Sequence, residues 1–219
     1  MTKMKKLLSA FLLLGTLVSC GETPAESQPV ESNPPTETTP AENSSTETKE
    51  LEAALVGIAQ GKTVYLSTVG QADSNIVDNV FKKAGAVGGY SIKTMLAASE
   101  VEEGAVVFLT LGSSSKGLGA AGVDEAHEKA RAKAFSDAAK EGKFTLVLLH
   151  VGGTARRGTS SDPIIEAAFP GAKACFVVAT GNEDNFFTNL ASTNSVSLYS
   201  VAKSLDLVDY AKDYLENSI

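Results

Sequence analysis

The chain has no tryptophan, two cysteines and two histidines in 219 residues. Cys20 lies just after an N-terminal apolar run and Cys175 inside a buried-strand pattern, so no disulfide framework is expected and Cys175 reads as a core residue. His127 and His150 are well separated, which argues against a dedicated metal cage. Positive charge is also in short supply, with 19 Lys and Arg against 26 Asp and Glu and a formal net charge of −7. That balance gives no reason to expect a nucleic-acid partner. The apolar run from Leu7 to Val18 falls short of the roughly 20 residues that a membrane-spanning helix needs.

What is present begins with an address. Lys3, Lys5 and Lys6 precede the apolar run, and Leu17, Val18, Ser19 and Cys20 close it. A basic start followed by a short apolar segment is the pattern of a secretory signal. With its terminal cysteine, this segment resembles the lipobox of a bacterial lipoprotein. The resemblance implies a signal peptide at 1–19, a diacyl group on Cys20, and a protein anchored to the cell membrane facing the extracytoplasmic side. Residues 20–50 then read as a tether. Beyond Cys20 it is rich in Glu, Thr, Ser and Pro, with seven glutamates against Lys49 alone and Val30 as its one large apolar residue. Such a segment cannot bury enough surface to offset its ordering entropy, and as a flexible coil it reaches on the order of 30 Å.

Residues 51–219 read as a single domain. Taking the signal's three lysines and the tether's −6 out of the total leaves this part with −4. Apolar or β-branched runs recur at 63–68, 90–95, 105–111, 144–150, 174–179 and 196–201, separated by helical patterns. Asp73 or Ser74 can cap a helix that carries Ile76, Val77, Val80 and Phe81 and stops at Gly85. Val123, Ala126, Ala130, Ala134 and Ala138 suggest the buried stripe of another. Asp162 and Pro163 start a third, Phe186 and Phe187 a fourth, and Leu207 to Leu215 the last, with a short lead-in helix at 51–59. Alternation of this kind predicts an α/β fold, a three-layer doubly wound and mainly parallel sheet of five to six strands. A flavodoxin-like order of 2-1-3-4-5, with the sixth strand at the edge, fits best and a Rossmann-like order is the alternative. Only about nine residues separate the second and third strands, so that crossover must be a single helical turn near Ala98.

Ligands in such sheets bind outside the carboxyl ends of the strands, near the point where strand order reverses. The loops predicted there are rich in Gly, Ser and cationic residues, whereas KEGK and FPGAK at the other edge are compact turns. The richest is the stretch Gly112 to Gly122. Ser113, Ser114 and Ser115 offer hydroxyls, Lys116 offers charge, and Gly117 and Gly119 let backbone N–H groups approach a phosphate or carboxylate. Gly117, Gly119 and Gly122 match G-x-G-x-x-G, but too far after the strand for a dinucleotide fingerprint. Arg156 and Arg157 lie in another such loop; one can clamp an anion while the other pairs with Asp162. Thr68 and Gln71 form the opposite wall. His150 ends its strand facing the crevice, as a structural histidine or a ligand contact, and Asn182 and Asp184 lie at the rim.

STVGQADS, after the first strand, is loosely similar to the phosphate-binding loop of flavodoxins. It departs at Gln71 and Ala72, and the loops that would sandwich a flavin ring lack aromatics. Over the whole domain, the GSSSKGLGAAG and ARRG loops resemble those of uncharacterised extracytoplasmic lipoprotein domains of unknown function. These readings favour a non-enzymatic or accessory module that binds a small anionic or polar ligand and works with a transporter or other envelope protein. No cofactor is expected. The alternatives are an envelope hydrolase or transferase with His150 as acid/base, a redox module that binds FMN, and a structural domain with no ligand.

Overall fold

A strand buried on both faces must be apolar at every position, not at alternate ones. Val106, Val107, Phe108 and Leu109 meet that demand: all four are buried, and successive residues enter two separate cores. The structure, a computed structural model, describes residues 55–86 and 89–215. The signal, Cys20, the tether and the start of the lead-in segment lie outside the described residues; Leu55 is helical and the segment continues as turns from Val56.

The elements run β1 (Val64–Val69), α1 (Ser74–Lys83), β2 (Ser91–Ile92), β3 (Val106–Leu111), α2 (Ser115–Ala121) and α3 (Glu125–Lys140). They continue as β4 (Thr145–His150), α4 (Asp162–Ala168), β5 (Ala174–Val178), α5 (Phe186–Asn194), β6 (Ser197–Val201) and α6 (Leu207–Leu215). All strands are parallel, in the order β2-β1-β3-β4-β5-β6. This is the three-layer, doubly wound fold in its flavodoxin-like order, with β6 at the edge. The β2–β3 crossover is one short 3₁₀ turn, Ala98–Glu100. Strand order reverses between β1 and β3, which stay in register from Val64↔Val106 to Val69↔Leu111.

One face of the sheet packs against α1 and α6 through Val77, Val80, Phe81, Leu207 and Ala211. Phe81 meets Phe108 edge-on at 5.0 Å between ring centroids, and Phe176 stacks on Tyr199 at 4.7 Å. The other face packs against α3, α4 and α5 through Ala132, Phe135, Ile164, Ile165 and Phe187. Cys175 is buried here as a free thiol.

Three local expectations change. The buried stripe of α3 is Glu128, Ala132, Phe135, Ser136 and Ala138, whereas Ala126, Ala130 and Ala134 are exposed. Alanine fits either side of a helix, so its spacing carries little directional information. Asp73 occupies the N-cap position of α1 without capping it, because its carboxylate is paired elsewhere. Most of the expected Gly112–Gly122 loop is helix α2, capped by Ser114 Oγ, which accepts from the Gly117 amide at 3.2 Å.

Candidate functional site

The carboxyl edge of the sheet is built on a buried ion pair. Glu128 and Arg131, one turn apart on α3, place a carboxylate with no solvent exposure against a guanidinium that is 10 % exposed. Arg131 Nη1 donates to both carboxylate oxygens, at 2.7 and 2.9 Å. The Gly70 amide donates to the same carboxylate at 2.7 Å and Gln71 Nε2 at 3.1 Å. Arg131 also donates to the carbonyls of Thr68, Thr94 and Leu96, at 3.3, 3.2 and 2.8 Å. One helix thereby holds the end of β1, its loop and the segment after β2.

The β1 and β3 loops, which flank the reversal point, are joined to each other. Gly112 N–H donates to Val69 O and Ser114 N–H to Gly70 O, around an antiparallel bridge between Gln71 and Ser113. The Ser113 amide donates to Ser161 Oγ at 2.9 Å and the Ala72 amide to Thr68 Oγ1 at 3.3 Å. Gly117 lies so close to Gln71 O that a Cβ there would overlap the carbonyl. A flavin does not fit this arrangement. The amides of residues 70, 72, 112, 113 and 114 are already bonded within the protein, and residues 112–114 and 151–161 contain no aromatic ring.

The two adjacent arginines diverge. Arg157 stacks on Phe186, 3.9 Å from the ring centre, and pairs with Asp162 at 2.8 Å and Asp184 at 3.0 Å, while also donating to Gly181 O. Arg156 turns the other way, and its Nε donates to both oxygens of Asp73 at 3.1 and 3.3 Å. Its stem lies against Gly112 and Gly152: a Cβ at Gly112 would come within 2.9 Å of Arg156 Cβ, and one at Gly152 would overlap Arg156 Cγ. Asp73 is held with a left-handed backbone, φ 61°, a conformation uncommon for residues other than glycine. Among the described residues, Nη1 and Nη2 of Arg156 make no hydrogen bond or ion pair, and the side chain is 32 % exposed.

Of the other expected residues, Thr68 is buried and its hydroxyl donates to Ala72 O, closing the β1 turn. Gln71 is spent on Glu128 and the segment after β2. Ser113 Oγ is buried without a partner among the described residues. Ser115 and Lys116 are exposed in the first turn of α2, and Gly119 faces open space. Asn182 caps α5, its Oδ1 accepting from Phe187 and Thr188 N–H, while Asp184 accepts from Phe186 N–H. Beside Arg157, a cavity of about 270 Å³ is lined by Thr154, Arg157, Gly158, Asp162, Thr180, Gly181, Glu183 and Asp184. Its three carboxylates outnumber its one guanidinium.

His150 has no exposed surface and cannot touch a ligand at this edge. Its Nδ1 lies 3.1 Å from Leu111 O and its Nε2 3.1 Å from Gly153 O, with Phe187 at 4.7 Å between ring centroids. A neutral ring carries one N–H and donates to one of these carbonyls at a time. Burial lowers the pKa of His150 most strongly; the two carbonyls and the Asp73 charge oppose the shift, and the Arg157 charge adds to it.

Residues 61–215 match a family described as a domain of unknown function (DUF6305). No curated protein matches the chain.

A pH dependence follows from His150. Between the folded pKa and the ordinary value near 6.5, the unfolded chain binds a proton that the folded chain does not, so stability falls as pH drops through that window. The slope is at most about 1.4 kcal/mol per pH unit for one group. Thermal unfolding from pH 7.5 to 5.5 should show a falling midpoint in the wild type and a shallower fall in His150→Gln. A midpoint that rises on acidification contradicts the assignment.

Proposed function

We propose that the chain, which belongs to the DUF6305 family, is a membrane-tethered module that binds a small anionic or polar ligand at the carboxyl edge of its sheet. The posture of Arg156 carries this reading. Two glycines clear a path for its stem and Asp73 fixes its Nε, while both terminal nitrogens face outward without a partner among the described residues. An arginine held on one side and free on the other presents a planar pair of donors suited to a carboxylate or phosphate. Lys116 adds positive charge on the same edge from the exposed first turn of α2. Arg157, by contrast, is matched by Asp162 and Asp184 and serves the architecture.

The address rests on residues 1–20, where basic residues, a short apolar run and Leu17-Val18-Ser19-Cys20 follow the order of a lipoprotein signal. A single acyl chain gives only marginal membrane binding, so a diacyl group on Cys20 suits a permanent anchor. A module on such a tether meets envelope and environmental anions, and a single lobe of this kind implies a transporter or other envelope protein as its partner.

Thermal unfolding in phosphate, citrate, acetate and neutral polyols tests the binding site. At a hundredfold excess over its Kd a ligand contributes about 2.7 kcal/mol, a rise of roughly 5–10 °C for a domain of this size. Arg156→Gln should abolish the response and Lys116→Ala should weaken it. If none of these solutes raises the midpoint, or Arg156→Gln responds like the wild type, the site is misassigned. For the anchor, labelled palmitate should enter the expressed wild type and not Cys20→Ser. Equal label in both, or none in either, overturns the lipoprotein reading.

A further inference from the structure

Away from the free face of Arg156, a second set of anion-binding groups converges inside the fold. We infer that the loop after β1 forms a small-oxyanion site that the chain fills with its own Glu128 carboxylate. Its donors come from three places: the Gly70 amide at 2.7 Å, Gln71 Nε2 at 3.1 Å, and Arg131 Nη1 on both oxygens at 2.7 and 2.9 Å. A main-chain N–H, a side-chain amide and a guanidinium together make a donor set for a carboxylate or phosphate. Gln71 takes a left-handed backbone, φ 58°. Glu128 is fully buried, and Arg131 Nε is a further buried donor with no partner among the described residues.

The donors do not depend on the backbone of Glu128. Gly70 and Gln71 are held by β1 and by the bridge to Ser113, and Arg131 is tied to the Thr94 and Leu96 carbonyls at 3.2 and 2.8 Å. Removing the carboxylate alone therefore leaves a positively charged pocket one carboxylate in size. The ligand class is a small planar carboxylate, or one oxygen edge of a phosphate. In the wild type the site is latched, so an outside anion at this edge must use Arg156 instead.

Formate is the probe. The full chain bearing Glu128→Ala should melt below the wild type, and formate should raise its midpoint saturably, by roughly 5–10 °C at a hundredfold excess over Kd. Chloride at matched ionic strength should not. Neither the wild type nor Glu128→Gln should show a saturable formate response, and adding Arg131→Met to Glu128→Ala should abolish it. A Glu128→Ala chain that responds to formate no more than to chloride, or no more than the wild type does, overturns the inference. If Glu128→Ala does not fold unaided, recovery of its far-ultraviolet circular dichroism on refolding in formate supports the site, and no recovery overturns it.

Discussion

Gly70 N–H, Gln71 Nε2 and Arg131 all meet at the Glu128 carboxylate, and the carboxyl edge of this sheet takes its shape from that meeting. A buried charge is costly unless it is paired and its remaining lone pairs are hydrogen-bonded. Glu128 satisfies both conditions with groups from the loop after β1 and from α3. Arg131 extends the arrangement to the segment after β2. Removing one partner of such a pair typically costs about 3–5 kcal/mol, a large share of a domain's net stability. The pair therefore ties the end of β1 and its loop to the segment after β2, beside the reversal point where ligands of this fold class usually sit.

With the two loops sealed, the chemistry of the edge moves outward. The first crevice is closed by backbone hydrogen bonds and by Gly117 against Gln71. Arg157 is neutralised by two carboxylates and held on Phe186. His150 props the ends of β3 and β4 from below. Arg156 leaves this packed floor with its Nε held by both oxygens of Asp73, so under the proposed function its orientation is set before a ligand binds. Preorganisation of that kind lowers the entropy cost of binding.

The architecture was legible because it depends on patterns that repeat. Continuous apolar runs marked β3, β4 and β5, Asp162-Pro163 marked α4, and the spacing of the second and third strands required a one-turn crossover. The site was less legible, since glycine has two uses that look alike in sequence. Gly117 suggested backbone approaching a ligand, yet it gives room to the Gln71 carbonyl, just as Gly112 and Gly152 give room to the Arg156 stem. Glu128 and Arg131 were not singled out, because the alanine stripe of Ala126, Ala130 and Ala134 pointed to the wrong face of the helix. A usable signal was present all the same: Glu128 lies four residues before Ala132 and seven before Phe135, on the face that Phe135 must bury.

Native-state hydrogen exchange at the Gly70, Ala72, Ser113 and Ser114 amides tests most directly whether the buried carboxylate holds the carboxyl edge closed. Amides on a sealed, cooperative element exchange only through large-scale opening. All four should exchange in the wild type as slowly as the amides of β3. In Glu128→Gln, Gly70 and Ser114 should exchange much faster while β4 and β5 stay protected. Wild-type exchange at these four amides as fast as that of an exposed turn would show that the edge is open and that the Glu128 pair does not organise it.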